Sequence, residues 1–506
     1  MQKRNLLIII LFLFTGTIGW SAERIRQNFD FDWQFRLGEQ GIYKPVQLPH
    51  DWSIELDFNE EVGPESGYLP GGIGYYKKDF NVPASYKGKR VSIVFDGIYH
   101  KATIYLNGQE VDYHRYGYTS FETDLTPYLK YGGKNTLSVK VDHSEKSRWY
   151  TGSGIYRHVW MQVTNPIHVK MWGTYITTPR VSAESAIVSC VTTVANTSAL
   201  TGEIEIMQRI VDAQGNLLKI NGKQYAARTE VVMPENGTKD IAQSFTLSNP
   251  QLWNLEKPYL YRLETILKQK GKVIDRYTTR FGVRTIGFDK DKGFFLNGKN
   301  IKMKGACLHQ DAGCLGVAVP NRSYERRLTI LKEFGANAIR CSHNPPSPEF
   351  LNYCDSIGFL VVDEAFDKWK SGYYEQFFDE CWQQDIRDMI VRDRNHPSIV
   401  LWSIGNELAE ATRKDNVGVE RATLLRDFVH KLEPTRPTML ALAPAYQDKF
   451  ASVTDVVGYN YSELSYIEDK KKHPERIGLI SESYPYYSGL RPYEARDYSP
   501  KNPRNY

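Results

Sequence analysis

After about residue 288 the chain repeats one unit: a short apolar run, a stretch of helical period, then another apolar run. No other feature restricts the fold as strongly. The runs are Ile301–Cys307, Ala338–Ser342, Phe359–Asp363, Ile399–Ile404, Thr438–Leu442, Val456–Tyr459 and Ile477–Ile480. Helical stretches fall between several of them, among them Glu325–Phe334, Gln383–Asp393 and Glu420–Leu432. A strand that is apolar on both faces must be covered on both, as in a parallel sheet wrapped by helices. Seven such strands over 288–506 fit a (β/α)8 TIM barrel lacking its last strand.

The preceding residues follow a different pattern. Within 23–165, Val91–Phe95, Ala102–Leu106 and Thr136–Val141 alternate as half-buried strands do, and Asn107-Gly108 marks a tight turn. No useful helical period occurs there, so an antiparallel β-sandwich is expected. Within 166–287, Ala186–Val191 and Glu203–Ile206 are strand-like, and turn signals at short intervals predict an immunoglobulin-like sandwich. Residues 1–22 have the make-up of a signal peptide: Lys3 and Arg4, an apolar run from Leu6 to Phe14, then Gly19, Ser21 and Ala22. The mature protein is therefore expected to be exported, periplasmic or secreted, with no membrane span.

Composition removes other classes. With 64 basic and 59 acidic residues, a net charge of +5 on 506 residues is too weak to imply nucleic acid as a partner. Six cysteines with no C-x-x-C pair do not make a disulfide framework. Most read as small buried residues, with one bridge involving Cys307 or Cys314 left open.

In a barrel, chemistry sits where strands end. The fourth run leads to Asn406 and Glu407, and the seventh to Ser481 and Glu482. The first leads to His309, the second carries Arg340 and leads to His343, the third carries Asp363 and leads to Glu364, and the sixth leads to Asn460 and Tyr461. A carboxylate straight after an apolar strand is costly unless it faces a polar mouth. Two carboxylates across such a mouth are what glycoside hydrolysis needs, one to protonate the leaving oxygen and one to attack or to activate water.

Several motifs carry a resemblance to glycoside hydrolase family 2. Ser147-Arg148-Trp149-Tyr150-Thr151-Gly152-Ser153-Gly154-Ile155-Tyr156-Arg157 is similar to the end of that family's jelly-roll sugar-binding domain. Pro250–Trp253 with Arg280–Arg284 resembles the close of its immunoglobulin-like domain. Asn337–Pro346 and Asn395–Ser398 through Glu407 resemble its barrel signatures. The resemblance implies a retaining exo-β-glycosidase with Glu407 as acid/base and Glu482 as nucleophile. Asn406 would bond the sugar 2-hydroxyl, Tyr461 would sit beside the nucleophile, and Arg340 would keep Glu482 ionised. His309 and His343 would line the sugar subsite, a structural role staying open for both. Asp363 and Glu364 are read as supporting residues. Trp369 is placed with the substrate-binding residues; it and Trp402 could equally pack in a core.

The implied substrate is a terminal β-D-galactoside on an oligosaccharide or a polysaccharide side chain. The alternatives are β-glucuronidase, β-mannosidase or a non-catalytic carbohydrate-binding remnant. Homo-oligomerisation stays open. Two departures from the family follow. Lys368 and Lys370 stand where large β-galactosidases place magnesium ligands, so no metal and no cofactor are expected there. Only 24 residues follow Glu482, too few for the eighth strand and later domains that the resemblance implies. A truncated chain, poorly stable and weakly active alone, is the expectation.

Overall fold

The computed structural model describes residues 23–145, 147–220 and 223–483. The leader expected over 1–22 and the segment after residue 483 lie outside the described residues.

The first sandwich packs a four-stranded sheet (Ile25–Asn28, Val159–Thr164, Arg90–Phe95, Phe121–Asp124) against a six-stranded one. Alternation along the strands does this: in Ala102–Leu106 every second residue is buried. Trp33, Trp52, Tyr76, Phe95, Ile104 and Val139 fill the space between the sheets. The second sandwich sets three strands (Ile167–Val181, Ser185–Asn196, Gly237–Ser248) against four (Ala227–Met233, Gly202–Val211, Tyr261–Gln269, Lys272–Phe281).

The third unit is a seven-stranded parallel sheet among the described residues, in simple sequence order. Its strands are β1 (Gly305–Leu308), β2 (Ala338–Cys341), β3 (Leu360–Glu364), β4 (Ile399–Asn406), β5 (Thr438–Leu442), β6 (Val456–Asn460) and β7 (Ile477–Glu482). The helices between them are α1 (Asn321–Glu333), α2 (Pro348–Ile357), α3 (Phe378–Asp393), α4 (Val417–Leu432), α5 (Asp448–Ala451) and α6 (Glu463–Lys472). Strands β2 to β6 are buried throughout, whereas β1 and β7 are largely half-buried or exposed. The sheet curls until its two ends approach: the Cys307 thiol on β1 donates to the Ser481 carbonyl on β7 at 3.1 Å. A small three-stranded sheet over 286–300 closes the barrel floor, where Phe294 and Leu296 pack on Ala338, Leu360 and Val400.

Local chemistry explains the shifts from expectation. The first strand starts at Gly305 rather than Ile301 because the Asn337 side chain takes the Lys304 amide and the Lys302 carbonyl before pairing begins. Helix α2, absent from the expected stretches, starts at Ser347, whose hydroxyl accepts from the Phe350 amide, with Pro348 in the first turn. All six cysteines are free.

The sandwiches hold the barrel at opposite ends. Asn395 reaches the second sandwich, accepting from the Ile176 amide and donating to the Thr174 carbonyl. His396 and Ser398 bond Asp355, so this motif serves a junction far from the strand ends. At the mouth, the first sandwich makes the contacts: Arg157 donates to the Pro345 carbonyl and Tyr116 to that of Ala365.

Candidate active site

Six strand ends deliver side chains to one mouth. Glu482, at the end of β7, accepts from Arg340 Nη1 at 2.7 Å, Asn460 Nδ2 at 2.9 Å and Tyr461 Oη at 2.5 Å. Arg340 is fully buried, and its Nε and Nη2 donate to Glu364 at 2.9 and 2.6 Å. Burial would lower the guanidinium pKa, but the Glu364 and Glu482 carboxylates raise it, so it stays charged. Glu364 is equally buried. Burial alone would raise its pKa; the Arg340 charge and then His343 bring it down to about 2. His343 Nδ1 lies 2.6 Å from Glu364, and its Nε2 lies 3.4 Å from the Asn406 amide nitrogen.

Glu407, just past β4, is held more lightly. Asn460 Nδ2 is 3.3 Å from its Oε1 and Arg148 Nη2 is 4.0 Å from its Oε2. Both Glu407 and Tyr461 adopt left-handed backbone, with φ of 45° and 52°. A non-glycine residue held there stores about 1–3 kcal/mol, which the surrounding structure must supply. One nitrogen, Asn460 Nδ2, contacts both carboxylates. Distances of 3.3 and 2.9 Å from a common atom keep the two nearest oxygens within about 6 Å of each other, so the carboxylates face one another across the mouth. The Ser481 hydroxyl donates to Asn460 Oδ1 at 2.7 Å, which fixes the orientation of that amide.

Most predicted residues meet here, but not all as expected. Asn406 is fully buried, and its amide is committed to Arg340, Asn460, Asp367 and His343. His309 is half-buried at the rim, its ring 5.1 Å from Trp149 and 5.5 Å from His343. Burial, then the neighbouring His343, lowers its pKa and favours the neutral ring. Trp369 is a correction: it is 0% exposed, donates its indole N–H to the Ile404 carbonyl and packs beneath Gly405, so it offers no face to a sugar. Trp402 likewise points outward, to Glu433. Asp363 turns away from the mouth, and its burial pushes its pKa well up.

Sequence reasoning missed a wall from the first sandwich. A cavity of about 320 Å³ lies between it and the loop after β3, lined by Trp149, Arg148, Tyr118, His343, Asp367 and Lys368 among others. The only signal was the position of Arg148 and Trp149 within the sandwich-closing motif. Elsewhere, Asp448, Asp469 and His473 bring ligand atoms within 4.8 Å of one another, but Arg476 already pairs with both carboxylates.

Residues 31–166 match the model of the glycosyl hydrolases family 2 sugar binding domain, 167–284 that of glycosyl hydrolases family 2, and 289–482 that of its TIM barrel domain. The chain belongs to glycosyl hydrolases family 2. Within that family, it is 40% identical to the β-galactosidase BoGH2A of Bacteroides ovatus, over 91% of this chain and 60% of that protein. A β-glucuronidase of Bacteroides fragilis is 30% identical over 96% of this chain and 72% of its own length. A crystal structure of a family 2 member from Bacteroides cellulosilyticus superposes with a TM-score of 0.86 at 40% identity, over 91% of this chain and 61% of that one. The chain thus spans about three-fifths of the first of these relatives. Among the described residues no helix is long and apolar enough to cross a membrane.

Proposed function

We propose that this chain carries the catalytic site of a retaining exo-β-glycosidase that removes terminal β-D-galactosyl residues from an oligosaccharide or polysaccharide side chain. The observation that carries it is the pair of strand-end carboxylates that share the Asn460 amide nitrogen and so face one another across a single mouth, the arrangement that glycoside hydrolysis needs; the retaining course follows the family. In the first step Glu482 bonds to the anomeric carbon while Glu407 gives its proton to the departing oxygen. In the second, water bonds to that carbon, its proton passes to Glu407, and the Glu482 ester breaks. Arg340 and Tyr461 donate to the nucleophile and hold it in place. His309 and His343 line the subsite. A sugar 2-hydroxyl would take the place of His343 at Asn406, whose 3.4 Å bond is the longest that its amide makes.

The galactoside assignment draws on the Bacteroides ovatus relative, and β-glucuronide is the second reading because the Bacteroides fragilis relative shares more of its length. Export and a periplasmic or extracellular site of action belong to this reading, as do module limits at 165 and 287. The test is a panel of aryl β-galactoside, glucuronide, mannoside and glucoside, with Glu482→Gln as control. Turnover of the galactoside, lost in that variant, is expected. Turnover of the glucuronide alone would move the assignment, and sugar binding with no turnover would favour a carbohydrate-binding remnant.

A further inference from the structure

Four charged groups meet above β4, and the double-displacement reading gives a role to only one of them, Glu407. Asp367 lies in the loop after β3. Its Oδ1 accepts from Arg148 Nη2 at 3.2 Å, Lys368 Nζ at 3.1 Å and Asn406 Nδ2 at 3.0 Å, and its Oδ2 accepts from Arg148 Nε at 2.9 Å. The backbone carbonyl of Asp367 accepts from the Asn406 amide at 2.9 Å. Lys368 Nζ also donates to the Asn406 carbonyl at 2.8 Å. That carbonyl belongs to the peptide that enters Glu407, and the N–H of the same peptide donates to the Ala441 carbonyl at 2.8 Å. The peptide before the left-handed Glu407 is therefore gripped on both edges.

These contacts have one geometric outcome. The left-handed turn at Glu407 would relax without support, and the carboxylate would swing with it. Asp367 holds the Asn406 side chain and main chain together and keeps Lys368 over the carbonyl. It also anchors Arg148, a residue of the first sandwich that is half-exposed and reaches to 4.0 Å from Glu407. None of these three residues has a place in the covalent steps.

We infer that Asp367 is a positioning residue for proton transfer, acting with Lys368 to fix Glu407 and with Arg148 to tie that alignment to the first sandwich. The inference rests on the glycosidase reading above. Proton transfer fails when its donor is misplaced, so the loss depends on how much the leaving group needs a proton. A misplacement on the order of 1 Å costs about 100-fold.

The test uses the full chain and Asp367→Asn, which keeps shape and removes charge. For an alkyl β-galactoside, kcat/KM is expected to fall about 100-fold. For 2,4-dinitrophenyl β-galactoside, whose phenolate leaves unprotonated, the fall is expected to stay within about 3-fold. Lys368→Met should show the same split more weakly, and covers the case in which Asp367→Asn does not fold. Labelling of Glu482 by 2,4-dinitrophenyl 2-deoxy-2-fluoro-β-galactoside, read as intact mass, should proceed in wild type and in both variants. Equal losses on the two substrates would reduce Asp367 to a purely structural part and overturn the inference, as would no loss on either. A wild-type chain that neither turns over nor takes the label overturns the glycosidase reading itself, and this inference with it.

Discussion

The ends of β4 and β7 carry the two carboxylates, and they are built in opposite ways. Glu482 is clamped by a guanidinium, an amide and a phenol at 2.5–2.9 Å. Glu407 has one amide at 3.3 Å and a guanidinium at 4.0 Å, and its stiffness comes from the backbone beneath it. A group that stays ionised until it bonds to carbon benefits from direct donors. A group that must gain and lose a proton in every cycle cannot be locked to one charge state. The same fold meets both needs by gripping one side chain and the other residue's peptide.

The largest effect expected from breaking this contrast is Glu482→Gln, which should lower kcat by on the order of 10⁴-fold or more on every substrate of the panel. On kcat/KM, which reports the first step, Glu407→Gln should follow with about 10²–10⁴-fold, but only where the leaving group needs a proton. Rates for alkyl and dinitrophenyl galactosides, measured side by side, would separate the two. Equal profiles for both variants would erase the distinction drawn here.

Next comes pH. A carboxylate whose pKa is depressed in the folded protein stabilises the fold above its unfolded pKa and loses that contribution as pH falls through the folded value. For Glu364 the window runs from about 4.5 down to about 2. Urea melts across it should lose on the order of 3 kcal/mol through this group. Glu364→Gln should be weaker at neutral pH, since Arg340 loses its main partner, and should show a flatter acid limb. An unchanged limb would mean that the buried pair does not support the site.

The smallest expected change is Tyr461→Phe. It removes one bond to a charged acceptor, worth about 1.5–3 kcal/mol. A fall in kcat of about 10- to 100-fold, with the Glu407-dependent leaving-group pattern intact, would sharpen the contrast further.

Much of this was legible in the sequence because barrel strands declare themselves. Thr438–Leu442, apolar from Met439 onward, is buried throughout and lies as read. A glutamate directly after such a run has few reasons to be there, which singled out Glu407 and Glu482. Trp369 misled because an aromatic residue soon after a strand end has the same spacing whether it lines a subsite or folds back under the strand. Its indole chose the Ile404 carbonyl, and no local pattern encodes that choice. Arg148 and Asp367 are 219 residues apart in sequence, and their pairing depends on how two modules approach. Spacing along the chain cannot report it. Asn395 sits in a barrel motif yet serves a joint with the second sandwich, because a motif records constraint without its cause.

The docking of the first sandwich at the mouth has a further consequence. Asp51, in that sandwich, is buried and accepts from Tyr150 Oη at 2.6 Å, the Ser153 amide at 2.9 Å and the Val317 amide of the barrel at 3.0 Å. Gln310 of the barrel donates to the Thr151 carbonyl at 3.0 Å. One wall of the reaction chamber is thus on loan from a neighbour. The barrel is not a portable cassette, and grafting it onto another carrier would mean transplanting the seam as well.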